Sequence, residues 1–128
     1  MTVLIVDDSS IVRRVLKGVV QRYFDEPLIL EAKDGSVAMQ AVNAYEVDLM
    51  LLDWNMPVMD GEAVVKAVRA EKKHNRMKIV MATTEGGKAS VLKMVKQGVN
   101  GYLVKPFQED NIVKTLDKVA GRMRAKKS

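Results

Sequence analysis

The sequence predicts an α/β domain built on a five-stranded parallel sheet with five helices, and three observations carry that expectation. Short apolar runs recur five times along the 128 residues, each stopped abruptly by polar or turn-forming residues. Between them lie stretches whose apolar residues fall at three- and four-residue spacing, the pattern of an amphipathic helix. The connections are short, so right-handed crossovers would lay the strands side by side with helices on both faces. No repeat, linker or composition shift divides the chain, and residues 1–128 are expected to form one domain with a real hydrophobic core.

Each element follows in order. Thr2–Val6 is a β-branched apolar run ended by Asp7-Asp8-Ser9-Ser10. Ser9 or Ser10 can cap a helix carrying Ile11, Val12, Val15, Leu16, Val19 and Val20 at helical spacing. Asp25-Glu26-Pro27 breaks the chain before a second strand, Leu28–Ala32, and Asp34-Gly35 turns into a helix carrying Ala38, Met39, Ala41, Val42 and Tyr45. The third strand, Asp48–Asp53, runs into a turn-rich loop that ends at Gly61. A helix from Glu62 to about Lys73 should turn Val64, Val65 and Val68 inward and Lys66, Arg69, Lys72 and Lys73 outward. Met77–Ala82 is the fourth strand, stopped by Thr83-Thr84-Glu85-Gly86-Gly87. Lys88–Gln97 is a helix with Val91, Leu92 and Val95 on its apolar face and Gly98 just past its end. Gly101–Val104 is the fifth strand, closed by Lys105-Pro106, and the last helix runs from Asn111 to about Arg124 with Ile112, Leu116, Val119 and Met123 inward.

Composition removes several chemistries. There is no cysteine, hence no disulfide, no thiolate nucleophile and no cysteine-bound zinc. The single histidine, His74, rules out a multi-histidine metal site, and its charged surroundings suggest a solvated surface residue. Met1 leads straight into a strand-like run with no basic segment before it, and no apolar run approaches the ~18 residues that a membrane span needs. A cytoplasmic protein is expected. The net charge is 21 − 16 = +5, with Arg122, Arg124, Lys126 and Lys127 crowded at the end. No aromatic residues interleave with these charges, so they read as the dipole-complementing end of a helix, and no nucleic-acid partner is expected.

The residues at the carboxyl ends of the strands point to a site. Open α/β sheets bind ligands at that edge. Here it would collect Asp7 and Asp8, Asp53, Thr83 and Lys105 from four different strands. Three carboxylates cannot stay ionised together without counter-charge; one lysine covers one, and a divalent hard cation would cover the remaining two or so. Few oxygen ligands suit Mg²⁺. A carboxylate beside Mg²⁺, an ammonium and a hydroxyl is fitted to attack a phosphoryl group, giving an aspartyl phosphate on Asp53.

These residues also carry a family resemblance. The pattern LIVDDSS, LLDWNMPVMDG, MATTE and GYLVKPF resembles the response regulator receiver domain of two-component systems over essentially the whole chain. The resemblance implies a flavodoxin-like (βα)₅ receiver fold with strand order 2-1-3-4-5, an order for which chemotaxis receivers are themselves a standard case. It implies that Asp53 is the phosphoacceptor, served by a CheA-like histidine kinase. Asp8, Asp53 and the backbone carbonyl of Asn55 would ligate Mg²⁺, with Asp7 acting through water. Lys105 and Thr83 would each hold a phosphoryl oxygen, a cis peptide before Pro106 would aim Lys105, and Tyr102 would be the aromatic switch. The output face would be the fourth helix, fifth strand and fifth helix, with Lys88, Val91, Tyr102 and Val104 meeting targets and Lys93, Lys96 and Lys114 favouring an acidic partner.

Thr84 stands where the family commonly carries alanine, and its bulk is expected to restrict access to the phosphoryl group. Gly86-Gly87 implies a mobile loop before the fourth helix. With no output domain, a monomeric switch for chemotaxis or flagellar rotation is the leading expectation, its partners a flagellar motor switch protein or a phosphatase. A phosphorelay intermediate or phosphate sink is the alternative on the same fold. A haloacid-dehalogenase-type phosphohydrolase is disfavoured, because Asn55 stands two residues after Asp53 where such enzymes carry a second Asp.

Overall fold

The five apolar runs are strands and the five amphipathic stretches are helices in the computed structural model, which describes residues 1–125. In chain order they are β1 (Thr2–Val6), α1 (Ser10–Tyr23), β2 (Leu28–Ala32), α2 (Gly35–Ala44), β3 (Leu49–Asp53), α3 (Gly61–Arg69), β4 (Lys78–Thr83), α4 (Lys88–Lys96), β5 (Gly101–Val104) and α5 (Glu109–Ala125), with a 3₁₀ turn at Lys72–His74. All strand pairs are parallel and the order is β2-β1-β3-β4-β5, a flavodoxin-like sheet.

Alternation along the strands divides the core in two. Leu4, Val6, Met50, Leu52, Ile79 and Met81 face one side and pack with Ala38, Val42, Val64, Val65 and Val68 of α2 and α3. Val3, Ile5, Leu49, Leu51, Val80 and Leu103 face the other and pack with Leu16, Val19 and Val20 of α1 and Ile112, Leu116 and Ala120 of α5. Because both faces are covered, β3 is buried along its whole length, which is why it reads as an unbroken apolar run.

Three helices begin on capping residues at the carboxyl edge of the sheet. Ser9 Oγ accepts from Val12 N–H at 3.3 Å, Asp34 Oδ1 from Val37 N–H at 2.9 Å, and Asp60 Oδ1 from Ala63 N–H at 2.9 Å. Two glycines let the loops close over that edge. A Cβ on Gly35 would lie 2.3 Å from Met59 O, and one on Gly61 would lie 2.7 Å from Asp53 O.

Several expectations need correction. Ile11 is 72% exposed and Val15 is half exposed. A five-residue strand spans ~17 Å and the 14-residue α1 about 21 Å, so the first turn of α1 overhangs the sheet and has no core to enter. On α4 the buried side chain is Met94, whereas Leu92 and Val95 point outward. The apolar stripe of α4 and its core-facing side therefore do not coincide. Tyr45 caps α2 and is half exposed, and α3 stops at Arg69. Arg69 itself turns back to bond with Gly98, His74 and Asn100, and the His74 side chain is only 10% exposed beneath Glu71. The side chains of Met123 and Arg124, and residues Lys126 and Lys127, lie outside what the structure describes; Arg122 is exposed.

Candidate functional site

Sheet register brings the polar strand ends together. Val6 pairs with Leu52, so Asp7 and Asp53 emerge side by side from β1 and β3; Asp53 pairs with Ala82, and Thr83 with Val104, which precedes Lys105. Carboxylate oxygens of Asp7, Asp8 and Asp53 lie within 4.8 Å of one another. Lys105 Nζ reaches into this cluster, 3.0 Å from Asp7 Oδ2 and 3.2 Å from Asp53 Oδ1. Lys105 N–H donates to Thr83 O at 2.8 Å, and the peptide between Lys105 and Pro106 is cis.

Each acidic residue is held differently. Asp7 is buried, and its Oδ1 accepts from the Ser9 N–H at 2.9 Å. Arg13 donates from Nη1 to the Asp7 carbonyl at 2.6 Å and from Nε to Glu31 at 3.1 Å. Asp53 is buried too, and accepts from Asn55 N–H at 3.2 Å. Asp8 is exposed at the rim.

Burial pushes the Asp53 carboxyl above its usual range, the nearby Asp7 charge adds to this, and Lys105 works against it. Burial alone would lower Lys105, but its hydrogen bond to Asp7 and the charges of Asp7 and Asp53 outweigh it and raise its pKa. The carboxylates thus hold one ammonium and still carry net negative charge. An all-oxygen donor set of this kind fits a hard divalent cation such as Mg²⁺.

Thr83 is buried and its Oγ1 accepts from Glu85 N–H at 3.0 Å, which leaves the hydroxyl proton available for donation. Thr83, Thr84, Glu85, Trp54 and Asn55 line a cavity of about 260 Å³ beside the carboxylates, and Ser90 donates to Glu85 at 3.3 Å across its rim. On the other side of Lys105 an apolar groove of about 410 Å³ runs between Ile11, Val12, Val15, Pro106 and Phe107. Ile11, Val12 and Val15 share the apolar spacing of α1 yet line this groove, and Arg13 had only two sequence signals, its charge and its one-turn spacing from Ser9. Tyr102 and Val104 are both more than two-fifths exposed, Lys88 is exposed and Val91 partly so. These four residues sit on α4 and on β5, the edge strand of the sheet.

A buried carboxylate with two acidic neighbours, a lysine and a threonine at the carboxyl edge of a (βα)₅ sheet defines a class. The chain belongs to the response regulator receiver family: the model of the response regulator receiver domain matches residues 3–117. Within it, the chain is 46% identical over 122 residues to a chemotaxis protein CheY homolog of Campylobacter jejuni, covering 94% of this chain and 93% of that one. Its fold superposes on chemotaxis protein CheY4 of Vibrio cholerae with a TM-score of 0.83 and 35% identity, covering 92% of this chain and 97% of that one. It also superposes, at a TM-score of 0.80 and 23% identity, over 94% of this chain and 97% of that one, on the receiver domain of a Pseudomonas aeruginosa sensor histidine kinase that holds a magnesium ion in its active-site cleft. Receivers of this family are signalling switches that take phosphate from a histidine kinase and act on partners, and the phosphohydrolase reading is not favoured. Among the described residues no helix is long and apolar enough to cross a membrane.

Proposed function

We propose that this protein is a cytoplasmic, monomeric chemotaxis response regulator that is switched by phosphorylation of Asp53. The observation that supports this best is the meeting of three carboxylates and Lys105 at one strand edge. An Asp53 oxygen attacks the phosphorus of a phosphohistidine on a CheA-like kinase; the new O–P bond forms as the P–N bond breaks, and the imidazole leaves as the neutral ring after taking a proton. Lys105 moves its ammonium from the Asp53 carboxylate to a phosphoryl oxygen, and the Thr83 hydroxyl donates to another. Asp8, Asp53 and the Asn55 carbonyl would hold Mg²⁺, with Asp7 acting through water, and the ion would supply charge neutralisation as the two anionic groups approach.

The apolar groove of Ile11, Val15 and Phe107 suits an apolar helix face of the phosphodonor, since it adjoins Lys105. Drawing Thr83 toward the phosphoryl group shifts the loop after it and lets Tyr102 turn inward, which alters the surface of Lys88, Val91, Tyr102 and Val104. The partner there would be a flagellar motor switch protein, and hydrolysis would reset the switch unaided or with a phosphatase.

Trp54 adjoins Asp53, so its fluorescence tests the reading directly. It should change on Mg²⁺ addition and again on treatment with acetyl phosphate. Phosphodonor labelling that survives Asp53→Asn would sink the assignment. Equal affinity of both states for a flagellar switch peptide would leave a phosphate sink or relay as the role.

A further inference from the structure

Arg69 was expected to point into solvent, yet it crosses from the end of α3 to the end of α4. Its Nε donates to Gly98 O at 3.0 Å, Nη1 to His74 O at 3.2 Å and Nη2 to Asn100 Oδ1 at 3.0 Å. Asn100 Oδ1 also accepts from Ile79 N–H at 2.8 Å, and Asn100 N–H donates to Ile79 O at 2.8 Å. One guanidinium therefore joins α3, the turn after α4, and the approach to β4 and β5. The stem of Arg69 matters as much as its head. Gly98 has φ +106°, and a Cβ there would lie 2.9 Å from Arg69 Cγ and 3.0 Å from Nε. Gln97 Nε2 adds a bond to Glu62 Oε1 at 3.2 Å. A cation at this point also faces the negative end of the α4 dipole.

The other end of α4 is built differently. It starts after Gly86-Gly87 and has no side-chain cap, and Met94, near its carboxyl end, is its buried side chain. Gly86 lies against β5, where an added Cβ would come within 2.8 Å of Val104 Cγ2. The helix is fastened at its carboxyl end and lightly seated at its amino end, which follows the loop carrying Thr83.

We infer that Arg69 is a positioning residue for the output surface: it fixes the carboxyl end of α4, so that movement of the Thr83–Gly87 segment becomes a swing of the amino-terminal half of α4 about Gly98. The inference rests on the phosphorylation switch proposed above. A nine-residue helix is ~13 Å long, so a tilt of about 10° carries Lys88 roughly 2 Å while leaving Gly98 in place. The acceptors of Arg69 are Gly98, His74 and Asn100, none of them a phosphorylation-site residue, and it acts on α4 through Gly98 and Asn100.

Amide hydrogen exchange on the whole protein, with Mg²⁺ and with or without acetyl phosphate, tests this. In the wild type, phosphorylation should change exchange at 86–92 and leave 95–100 unaltered. Arg69→Met keeps the stem over Gly98 and loses the fork. Its exchange at 95–100 should rise about tenfold or more, and the phosphorylation response should spread along the helix, while the rate of Asp53 labelling stays within about twofold of wild type. Arg69→Lys keeps the charge but cannot span three acceptors, so it should behave as Arg69→Met does. If Arg69→Met does not fold, Asn100→Ala removes one acceptor of the fork and should show the same spreading. A response still confined to 86–92 in these variants overturns the inference and leaves the switch standing. A wild type that is not labelled at Asp53, or is labelled with no change at 86–92, overturns both.

Discussion

The Lys105 ammonium lies 3.2 Å from Oδ1 of Asp53, although Asp53 ends β3 and Lys105 follows β5, two strands that are not adjacent in the sheet. The contact sets the charge state of the site before any phosphoryl group arrives. Lys105 is also bonded to Asp7, so it is the cation that makes two buried carboxylates tolerable. Lys105→Met should cost about 3 kcal/mol of stability at neutral pH, because it removes the ammonium paired with both buried carboxylates. Denaturant midpoints without divalent cation measure this. Adding Mg²⁺ should recover much of the loss, and no recovery would place the cation elsewhere.

The raised pKa of Asp53 makes a signed pH prediction. Its unperturbed value is 3.8 and the folded value is higher, so between the two the native state holds a proton that the unfolded chain has released. Stability contributed by this group therefore falls as pH rises through that window and stays low above it. Asp53→Asn has no such dependence. Without metal, the variant should be more stable than wild type at pH 7, and its advantage should shrink as pH falls toward 3.8. Thermal midpoints across pH 3.5–7 provide the comparison (a range of roughly this width spans the carboxylate window), and a constant difference would contradict the electrostatic account.

Metal addition and removal should be visible in stability alone. A cation that binds only the folded site stabilises by about 2.7 kcal/mol at one hundred times its Kd. Mg²⁺ should raise the thermal midpoint of the wild type and a chelator should return it to its starting value. Asp8→Asn should lose most of that response while folding normally, since Asp8 is exposed at the rim and supports no core packing.

Val58 offers a test of the loop that frames the site. It has φ +69°, Met59 N–H donates to Pro57 O across it at 2.8 Å, and its side chain is 84% exposed. A β-branched residue in this left-handed γ-turn is strained and gains no burial. Val58→Asn should raise stability by about 1 kcal/mol, since asparagine tolerates positive φ. Labelling of Asp53 by acetyl phosphate should be unchanged. A destabilised variant would show that the valine has a packing role.

Much of the fold was legible in the sequence because its periods are plain. Five apolar runs gave the strands, and β2 and β5 match their expected bounds residue for residue. Where a residue stood in a strand buried on both faces, or on a helix packed along the sheet, as with Val64, Val65 and Val68, periodicity predicted burial correctly. It failed where a helix outruns or turns from the sheet: nothing local tells Ile11 that no strand lies beneath it, or tells α4 to bury Met94 and expose Leu92 and Val95. Arg69 was misread for a related reason, since its acceptors Gly98 and Asn100 lie some thirty residues along the chain and not at helix spacing.

The sequence by itself determined which residues could meet at the site, because every strand end carries its own polar signal and parallel topology gathers such ends at one edge. Tertiary structure alone decided how they meet. Register set Asp7 beside Asp53, the chain path of β5 sent Lys105 between them, and Arg13 and the Ser9 amide fixed Asp7 in place. The physical reason is range. Period and turn chemistry act over a few residues, whereas the charge balance at Asp53 depends on groups that only the folded sheet brings within about 3 Å, close enough for a direct ion pair.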